Sequence, residues 1–257
     1  MRYRESAICL RTTDYSETSQ VVHFLTRGEG VVHLMAKGSK RAKSKSGGAI
    51  DLLSEGDLVY ISSGGETLGT LVEFSESVSH GPLRRQAKRL YAGLYMIELA
   101  GEMLAPADPH PEVFDLLHNG LARLAASDAP IPAVLAYFQW RLLRHVGLMG
   151  EMDRCVSCGR SMAPSAVPAA KAWFSSKVGG MLCGDCRLAA TPEAGTAADK
   201  YRVDQAALEG LAALRAAQAG RKVLLADAQA NAVNRLLAYH VTQQLGKTLR
   251  LARYAIE

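Results

Sequence analysis

Two Cys-x-x-Cys pairs constrain the fold of this chain more than any other feature of its sequence. Cys155 and Cys158 lie in "DRCVSCGRSM", and Cys183 and Cys186 lie in "GGMLCGDC". Two intervening residues let both thiolates of a pair converge on one ion, and two such pairs complete a tetrahedron of sulfur ligands. The spacing predicts one Zn²⁺ bound by these four cysteines, with an idle or redox-active thiol set and an iron–sulfur centre as the alternatives.

The predicted metal is structural, because four thiolates leave no open position for water or a substrate. The 24 residues between Cys158 and Cys183 include "KAWFSSKVGGML", an alternating stretch whose Gly-Gly turn favours the β-hairpin of a zinc ribbon. Such sites contribute about 10–16 kcal/mol of apparent binding free energy, enough to organise a segment with little apolar core. The fifth cysteine, Cys9, lies between Ile8 and Leu10 and is predicted to be a small core residue.

The rest of the composition favours a soluble cytoplasmic protein with no membrane partner. The sequence has no apolar run of about 18 residues, and "MRYRESAICLRTTDY" lacks the apolar segment and cleavage site of a secretory signal. In a reducing compartment disulfides are rare, which is a second reason to expect metal-bound thiols. A chain of 257 residues with 48% apolar side chains can form one large domain or two to three small ones.

Positive charge is concentrated at the two ends of the sequence. Residues 1–90 hold 13 Lys and Arg against 10 Asp and Glu, residues 91–199 hold 8 against 11, and residues 200–257 hold 9 against 4. This distribution indicates a polyanionic partner contacted from the ends.

The first 80 residues predict five β-strands. Short stretches rich in Val, Ile, Leu and Phe are separated by Gly and Ser turns, and Arg27-Gly28-Glu29-Gly30 reads as a hairpin turn. Five strands in this length fit an OB-type barrel, with an SH3-like barrel as the competitor of equal strand count. Phe24, Tyr60 and Phe74 are candidates for base stacking, although the pattern does not assign them to a face of the barrel.

Helical periodicity follows from Pro82 onward. An apolar stripe predicts one helix of roughly six turns from about 83 to 104, and "PEVFDLLHNGLARLAAS" and "PAVLAYFQWRLLRHVGL" predict two more, each opening with proline. Tyr137, Phe138 and Trp140 are expected in the core or half in it. A second stripe predicts a long C-terminal helix at about 226–255.

The predicted fold class is therefore α+β, in four parts. An OB-type β-barrel spans 1–80 and a helical bundle spans 81–150. A four-cysteine zinc ribbon is inserted at 151–190, and C-terminal helices at 191–257 pack with the bundle.

Two clusters of basic residues are candidate nucleic-acid contacts. The first is a cationic loop between the third and fourth strands, and its five cations are Lys37, Lys40, Arg41, Lys43 and Lys45. The second lies at the start of the long helix and consists of Arg84, Arg85, Lys88 and Arg89. A charge run can also be a solvated surface. In an OB-type barrel, however, basic loops commonly contact single strands, so we favour nucleic acid.

The sequence matches no catalytic template well. His110-Pro111-Glu112 followed by a Cys-x-x-Cys pair resembles zinc deaminases of nucleobases, but Arg154 stands where those proteins have proline and the second cysteine pair would have no purpose. "GKT" at 246–248 lacks the first glycine of a phosphate-binding loop. We therefore expect a protein that is not an enzyme.

The order of parts resembles the RecO family of bacterial DNA repair and recombination mediators over almost the whole chain. The most specific stretches are "DYSETSQVVHFLTRGEG", which leads into the basic loop, and "YMIELA". The resemblance implies a role in homologous recombination: binding single- and double-stranded DNA, annealing complementary strands and assisting the loading of RecA. It implies that the barrel at 1–80 is the DNA-binding domain. By position, it implies DNA contacts for the five loop cations and zinc ligation by the four cysteines.

The resemblance also implies protein partners. These are RecR, the C-terminal tail of single-stranded-DNA-binding protein and, indirectly, RecA, in the cytoplasm at the nucleoid during repair. Arg84, Arg85 and Lys88 either extend the DNA-binding track or accept the acidic tail. The rival hypothesis is a zinc-ribbon adaptor between proteins that does not bind DNA.

Overall fold

Five strands of the N-terminal region close into a β-barrel. The computed structural model describes residues 1–41, 44, 48–62, 68–166, 172–188, 199–218 and 225–256. The strands are β1 (Arg2–Asp14), β2 (Gln20–Thr26), β3 (Gly30–Ala36), β4 (Glu55–Ile61) and β5 (Gly69–Val78). They follow the order β1-β2-β3-β5-β4, and β4 returns to β1. The only parallel pairing among these strands, as described, joins β3 to β5, so the barrel is of the OB type and the SH3-like alternative is wrong.

Alternation along the strands sends one set of side chains into the barrel. Small and aromatic side chains share this interior: Ala7, Cys9, Val22, Phe24, Leu34, Ala36, Leu58, Tyr60 and Phe74 are all buried. Cys9 is thus a core residue, as predicted. The three strand aromatics proposed for base stacking, Phe24, Tyr60 and Phe74, point inward and cannot meet a base.

The predicted hairpin turn between β2 and β3 is confirmed and ends at Gly30. Gly30 has φ +70°, and a Cβ at this position would lie 2.2 Å from the backbone oxygen of Asp108. The turn is also tied to a helix, because Arg27 donates two hydrogen bonds, of 3.0 and 2.9 Å, to the carboxylate of Asp115. Glycine therefore allows both the left-handed backbone and the close approach of the chain segment before that helix.

Two helices pack on the barrel within the first compact unit, Met1–Ala129. They are α1 (Ala87–Met103) and α2 (Pro111–Ala125). The single long helix predicted from residue 83 is wrong at its start, because Gln86 is extended (φ −136°, ψ 119°) and separates a short 3-10 helix, Gly81–Arg85, from α1. Arg89 is buried in α1 and donates to the carbonyl oxygens of Leu124, Ala126 and Ser127 at the end of α2.

Glu55 joins the barrel to these helices. Its buried carboxylate is hydrogen-bonded to His80 at 2.8 Å and to His118 of α2 at 2.5 Å. Burial alone would raise the pKa of Glu55, but the two hydrogen bonds outweigh it and the pKa is lowered. The ionised carboxylate is therefore the form that this contact stabilises.

The second compact unit, Pro130–Glu257, contains the remaining helices and the cysteine segment. Its elements are α3 (Ile131–His145), β6 (Ala172–Ser175), β7 (Gly180–Cys183), α4 (Gly184–Leu188), β8 (Lys200–Arg202), α5 (Gln205–Gln218), α6 (Asp227–Leu245) and α7 (Ala252–Ala255). α6 packs between α3 and α5, and the buried side chain of Gln139 donates to Asn234 at 2.8 Å across the α3–α6 contact. The division into four domains stays a prediction.

The helices of the second unit differ from the prediction at Tyr137 and at Gly246. Phe138 and Trp140 are buried as predicted, whereas Tyr137 is 40% exposed. The long C-terminal helix is interrupted, because Gly246 adopts a left-handed conformation (φ 65°) and ends α6 before α7 begins. Across the described stretches of the chain, no helix combines the length and apolar character needed to cross a bilayer.

His23 and His33 form a stacked pair on the outer surface of the barrel. They are directly opposite each other in β2 and β3, with ring centroids 3.9 Å apart and planes 25° apart. Burial, the neighbouring His33 and the charge of Arg11 lower the pKa of His23 to about 4. Burial and Arg11 lower the pKa of His33 as well. Both imidazoles are therefore neutral at pH 7.

This pair predicts a loss of stability in mild acid. Below pH 6.5 the unfolded chain protonates His23 while the folded chain does not until about pH 4, so stability falls as the pH decreases through this window. His23→Gln removes that difference, and its free energy of unfolding should decline less between pH 7 and 4.5 in urea titrations. His110→Gln, outside the barrel, is the control; an identical decline for His23→Gln and the wild type would contradict the prediction.

Candidate nucleic-acid interface and metal centre

The four predicted cysteine ligands meet at one point in the second unit. Their sulfur atoms all lie within 4.8 Å of one another, and the Sγ atoms of Cys158 and Cys183 are 3.8 Å apart. A tetrahedral ion with metal–sulfur bonds of about 2.3 Å requires sulfur separations of roughly 3.8 Å. All four are free thiols, not disulfides, and together they could hold one metal ion.

Local backbone geometry sets these ligands in place. Cys155 and Cys158 flank a tight turn, closed by a hydrogen bond from Gly159 N to Cys155 O of 2.8 Å with Gly159 at φ +71°. Cys183 ends β7, and Cys186 follows within the first turn of α4. β6 and β7 form the predicted antiparallel hairpin. The structure thus brings together all four cysteines that sequence spacing singled out.

The electrostatics of the cluster favour a bound cation. Burial alone would raise the pKa of Cys155, but backbone N–H groups of Cys183, Cys158 and Ser157 outweigh it and lower the pKa to about 7. Cys186 shows the opposite balance. Its hydrogen bond with Ser157 lowers the pKa, but burial and the three neighbouring sulfurs together raise it to about 12. Four thiolates at this separation repel one another, and a divalent ion compensates that repulsion.

The deaminase alternative finds no support in this geometry. His110 is hydrogen-bonded to Asp108 and Glu112, at 3.2 Å each. Among the described His, Cys, Asp and Glu residues, the cluster whose side chains lie close enough to share one metal ion consists of the four cysteines.

The basic loop between β3 and β4 is held at both ends by one buried side chain, Gln20 of β2. Its amide nitrogen donates to Ile50 O at 3.2 Å, and its amide oxygen accepts from Ile50 N and from Ser39 Oγ, each at 3.0 Å. Ser39 lies near the start of the loop and Ile50 near its end. Gln20 therefore fixes where the loop leaves the barrel and where it returns, a role that the sequence pattern did not indicate.

The turn between β1 and β2, residues 15–19, is attached to the same loop. Gly38 N donates to Ser19 Oγ at 3.1 Å, and Lys40 N donates to Thr18 O at 3.1 Å. Turn and loop together form a groove of about 360 Å³, lined by Tyr15, Ser16, Ser19, Met35, Lys37, Gly38 and Arg41. We call this surface the loop groove.

The predicted loop cations differ in their surroundings. Lys37 and Arg41 are exposed at the loop groove, whereas Lys40 forms an ion pair of 2.6 Å with Asp14 at the end of β1. Lys43 and Lys45 lie outside the described residues. Asp14 was not singled out from the sequence, because no spacing rule connects the end of one strand to a loop 26 residues later.

The second basic cluster is divided by the fold. Arg84 donates to Asp51 at 3.4 Å and to Leu52 O at 3.2 Å, near the end of the basic loop. Arg85 and Lys88 are exposed. Arg89, counted with them in the sequence, is buried and holds the end of α2. It therefore does not belong to the surface cluster.

Fold and sites together define a class of protein: an OB-type barrel with an anchored basic loop, followed by a helical unit that carries a four-cysteine ribbon. Two family models match the chain, one over the barrel and one over most of the remaining residues. The family model described as Recombination protein O N terminal matches residues 1–77, and that described as Recombination protein O C terminal matches residues 84–252. The chain belongs to the RecO family.

Similar proteins carry the name DNA repair protein RecO. The protein of Anaeromyxobacter sp. strain Fw109-5 is 31% identical over 261 residues, covering 100% of this chain and 96% of that protein. The protein of Anaeromyxobacter dehalogenans strain 2CP-C is 33% identical, covering 96% and 98%. The protein of Rhodopirellula baltica is 35% identical over 181 residues, covering 70% of this chain and 66% of that protein.

Removal of the Gln20 amide should release the loop and destabilise the barrel. Gln20→Ala leaves the buried N–H of Ile50 without its partner, which costs about 1–3 kcal/mol. Urea unfolding measures this difference, and limited proteolysis within residues 37–50 should become faster. Gln139→Ala removes a buried amide from the second unit and is the matched control; equally fast cleavage of that control and of Gln20→Ala would argue against a local effect.

Proposed function

We propose that this protein is a non-enzymatic mediator of DNA repair and homologous recombination that binds single- and double-stranded DNA. The observation that carries the proposal is the basic loop, anchored by Gln20 to an OB-type barrel in a chain of the RecO family. Family membership supports the DNA repair role. The exposed cations Lys37 and Arg41 support direct contact with phosphates.

The mechanism follows from charge and needs no bond-making chemistry. Cations that neutralise phosphates release condensed counterions, so two complementary strands approach each other with less repulsion. Annealing is then limited by the search for matching bases. In this proposal RecR and the tail of single-stranded-DNA-binding protein are the protein partners, and RecA loading is the outcome. Arg85 and Lys88, both exposed, are the candidates for the acidic tail or for an extended DNA track.

We further propose that the ion held by Cys155, Cys158, Cys183 and Cys186 is Zn²⁺. A closed set of four thiolates suits zinc, and the 3.8 Å sulfur separation suits a single ion. When bound, zinc supplies folding energy to the ribbon. The cysteines fix the knuckle and the end of β7 around it, and no catalytic step depends on it.

The DNA-binding proposal predicts a defined salt dependence. If all five loop cations contact single-stranded DNA, they contribute about −3.5 to the slope of log affinity against log salt, from roughly −0.7 per contact. Replacing Lys37, Lys40, Arg41, Lys43 and Lys45 with Ala should flatten the slope by that amount and weaken all sequences alike. Fluorescence anisotropy with a labelled oligonucleotide measures it.

Asp14→Asn is the opposing variant in the same titration. It removes the carboxylate that competes with phosphate for Lys40, 2.6 Å away, so binding should strengthen. A wild-type protein that binds no oligonucleotide at about 50 mM salt, where phosphate contacts are strong, would instead support the protein–protein adaptor.

The zinc proposal predicts one Zn²⁺ per chain by elemental analysis. A chelator should remove it, with loss of ribbon structure. Cys183→Ser should lose the metal and lower the thermal stability of the second unit, while affinity for DNA through the barrel changes far less. Cys9→Ser controls for loss of any thiol. Iron in place of zinc, or a stably folded ribbon without metal, would contradict the proposal.

A further inference from the structure

On the described strands of the barrel, the three aromatic residues predicted for base stacking offer no ring to a ligand. In OB-type proteins, bases of a single strand commonly stack on aromatic side chains beside a basic groove. Here Phe24, Tyr60 and Phe74 are buried in the barrel interior. Rings available to a base must therefore come from other positions of the same surface.

Tyr15 is such a ring. It is 69% exposed, and among the described Phe, Tyr and Trp residues of the barrel it is the one whose side chain is mostly exposed. Its backbone N–H donates to Ser19 O at 3.0 Å, and Ser19 in turn holds Gly38 of the basic loop. The ring therefore lines the loop groove together with Lys37 and Arg41, where a phosphate contact and a base contact can be made by one nucleotide.

The stacked imidazoles continue this surface along the strands. In the strand register, Arg11 of β1 lies opposite His23 of β2, which lies opposite His33 of β3. Two residues further along these strands, on the same outward face, Val21 lies opposite Met35. Met35 also lines the loop groove. Successive outward rows of an antiparallel strand are about 6.8 Å apart, so His33 and Lys37 are roughly 14 Å apart along the chain. That length accommodates several nucleotides of a single strand.

We propose that Tyr15 and the His23–His33 pair are base-stacking residues that make the barrel prefer single-stranded DNA over duplex. The inference rests on the proposed DNA-binding function and deepens it. In a duplex the base faces are already stacked on one another, so only the cations have partners there. In a single strand the faces are free, and each one that packs on a ring adds affinity beyond the phosphate contacts.

The test separates base contacts from phosphate contacts. Anisotropy titrations use three labelled probes of roughly 12 nucleotides, within the usual site size of OB folds: a thymidine strand, an abasic strand with the same phosphates, and a duplex. Tyr15→Ala should weaken binding of the thymidine strand about tenfold and leave the abasic strand and the duplex unchanged. Tyr15→Phe keeps the ring and should bind as the wild type does.

Tyr137→Ala, an exposed tyrosine of α3, is the matched control and should change nothing. For the imidazoles, His23→Ser with His33→Ser should weaken the thymidine strand selectively, whereas Phe at both positions should restore binding. Circular dichroism of each variant checks that the barrel is folded.

The outcomes distinguish this inference from the function on which it rests. Equal affinities of Tyr15→Ala and the wild type for the thymidine strand, or equal weakening of thymidine and abasic strands, would overturn base stacking while leaving salt-dependent DNA binding intact. A wild-type protein that binds none of the three probes would overturn both.

Discussion

The surface proposed for DNA depends on one buried amide. Gln20 uses both ends of its side chain to hold Ser39 and Ile50, so a long and highly charged loop starts and ends at fixed points of the barrel. Because β2 itself is paired on both sides, the contacts of Gln20 hold Ser39 and Ile50 against a rigid part of the barrel.

Carboxylates on the same surface offset part of its positive charge. Asp14 pairs with Lys40 and Asp51 pairs with Arg84, so carboxylates neutralise part of each basic cluster. Exposed ion pairs are weak, of the order of 0–1 kcal/mol, and a phosphate can replace the carboxylate at small cost. Under the proposed function, such pairs suit the release of DNA as well as its binding, since the carboxylate gives the cation a partner after release.

Most elements of the fold could be predicted from local patterns in the sequence. Cysteine spacing identified all four members of the cysteine cluster, because a Cys-x-x-Cys turn has few possible conformations. Alternation and turn residues identified the strands and the turn at Gly30, but not the barrel type, since the parallel contact of β3 with β5 joins segments that are distant in sequence. The break at Gln86 was missed because a 3-10 turn and an α-helix carry similar apolar spacing.

The candidate interface was less accessible from sequence. Charge density pointed to the basic loop, yet Gln20 and Asp14 contact that loop across long sequence separations that no local pattern encodes. The strand aromatics illustrate the same limit. Period-2 alternation does not say which of the two faces of a strand is the inward one, and the closed barrel shows that Phe24 and Tyr60 both lie on the inward face.

Arg89 carries a formal positive charge, but its guanidinium is buried and is not presented to a ligand at the surface. Its guanidinium spans three backbone oxygens at the end of α2, and a lysine there would keep the charge while losing the planar fork that makes this possible. Counting basic residues along a stretch therefore overstates the field that an approaching polyanion experiences. In this chain the buried Arg89 contributes to internal packing, and the exposed Arg85 and Lys88 present their positive charge to solvent.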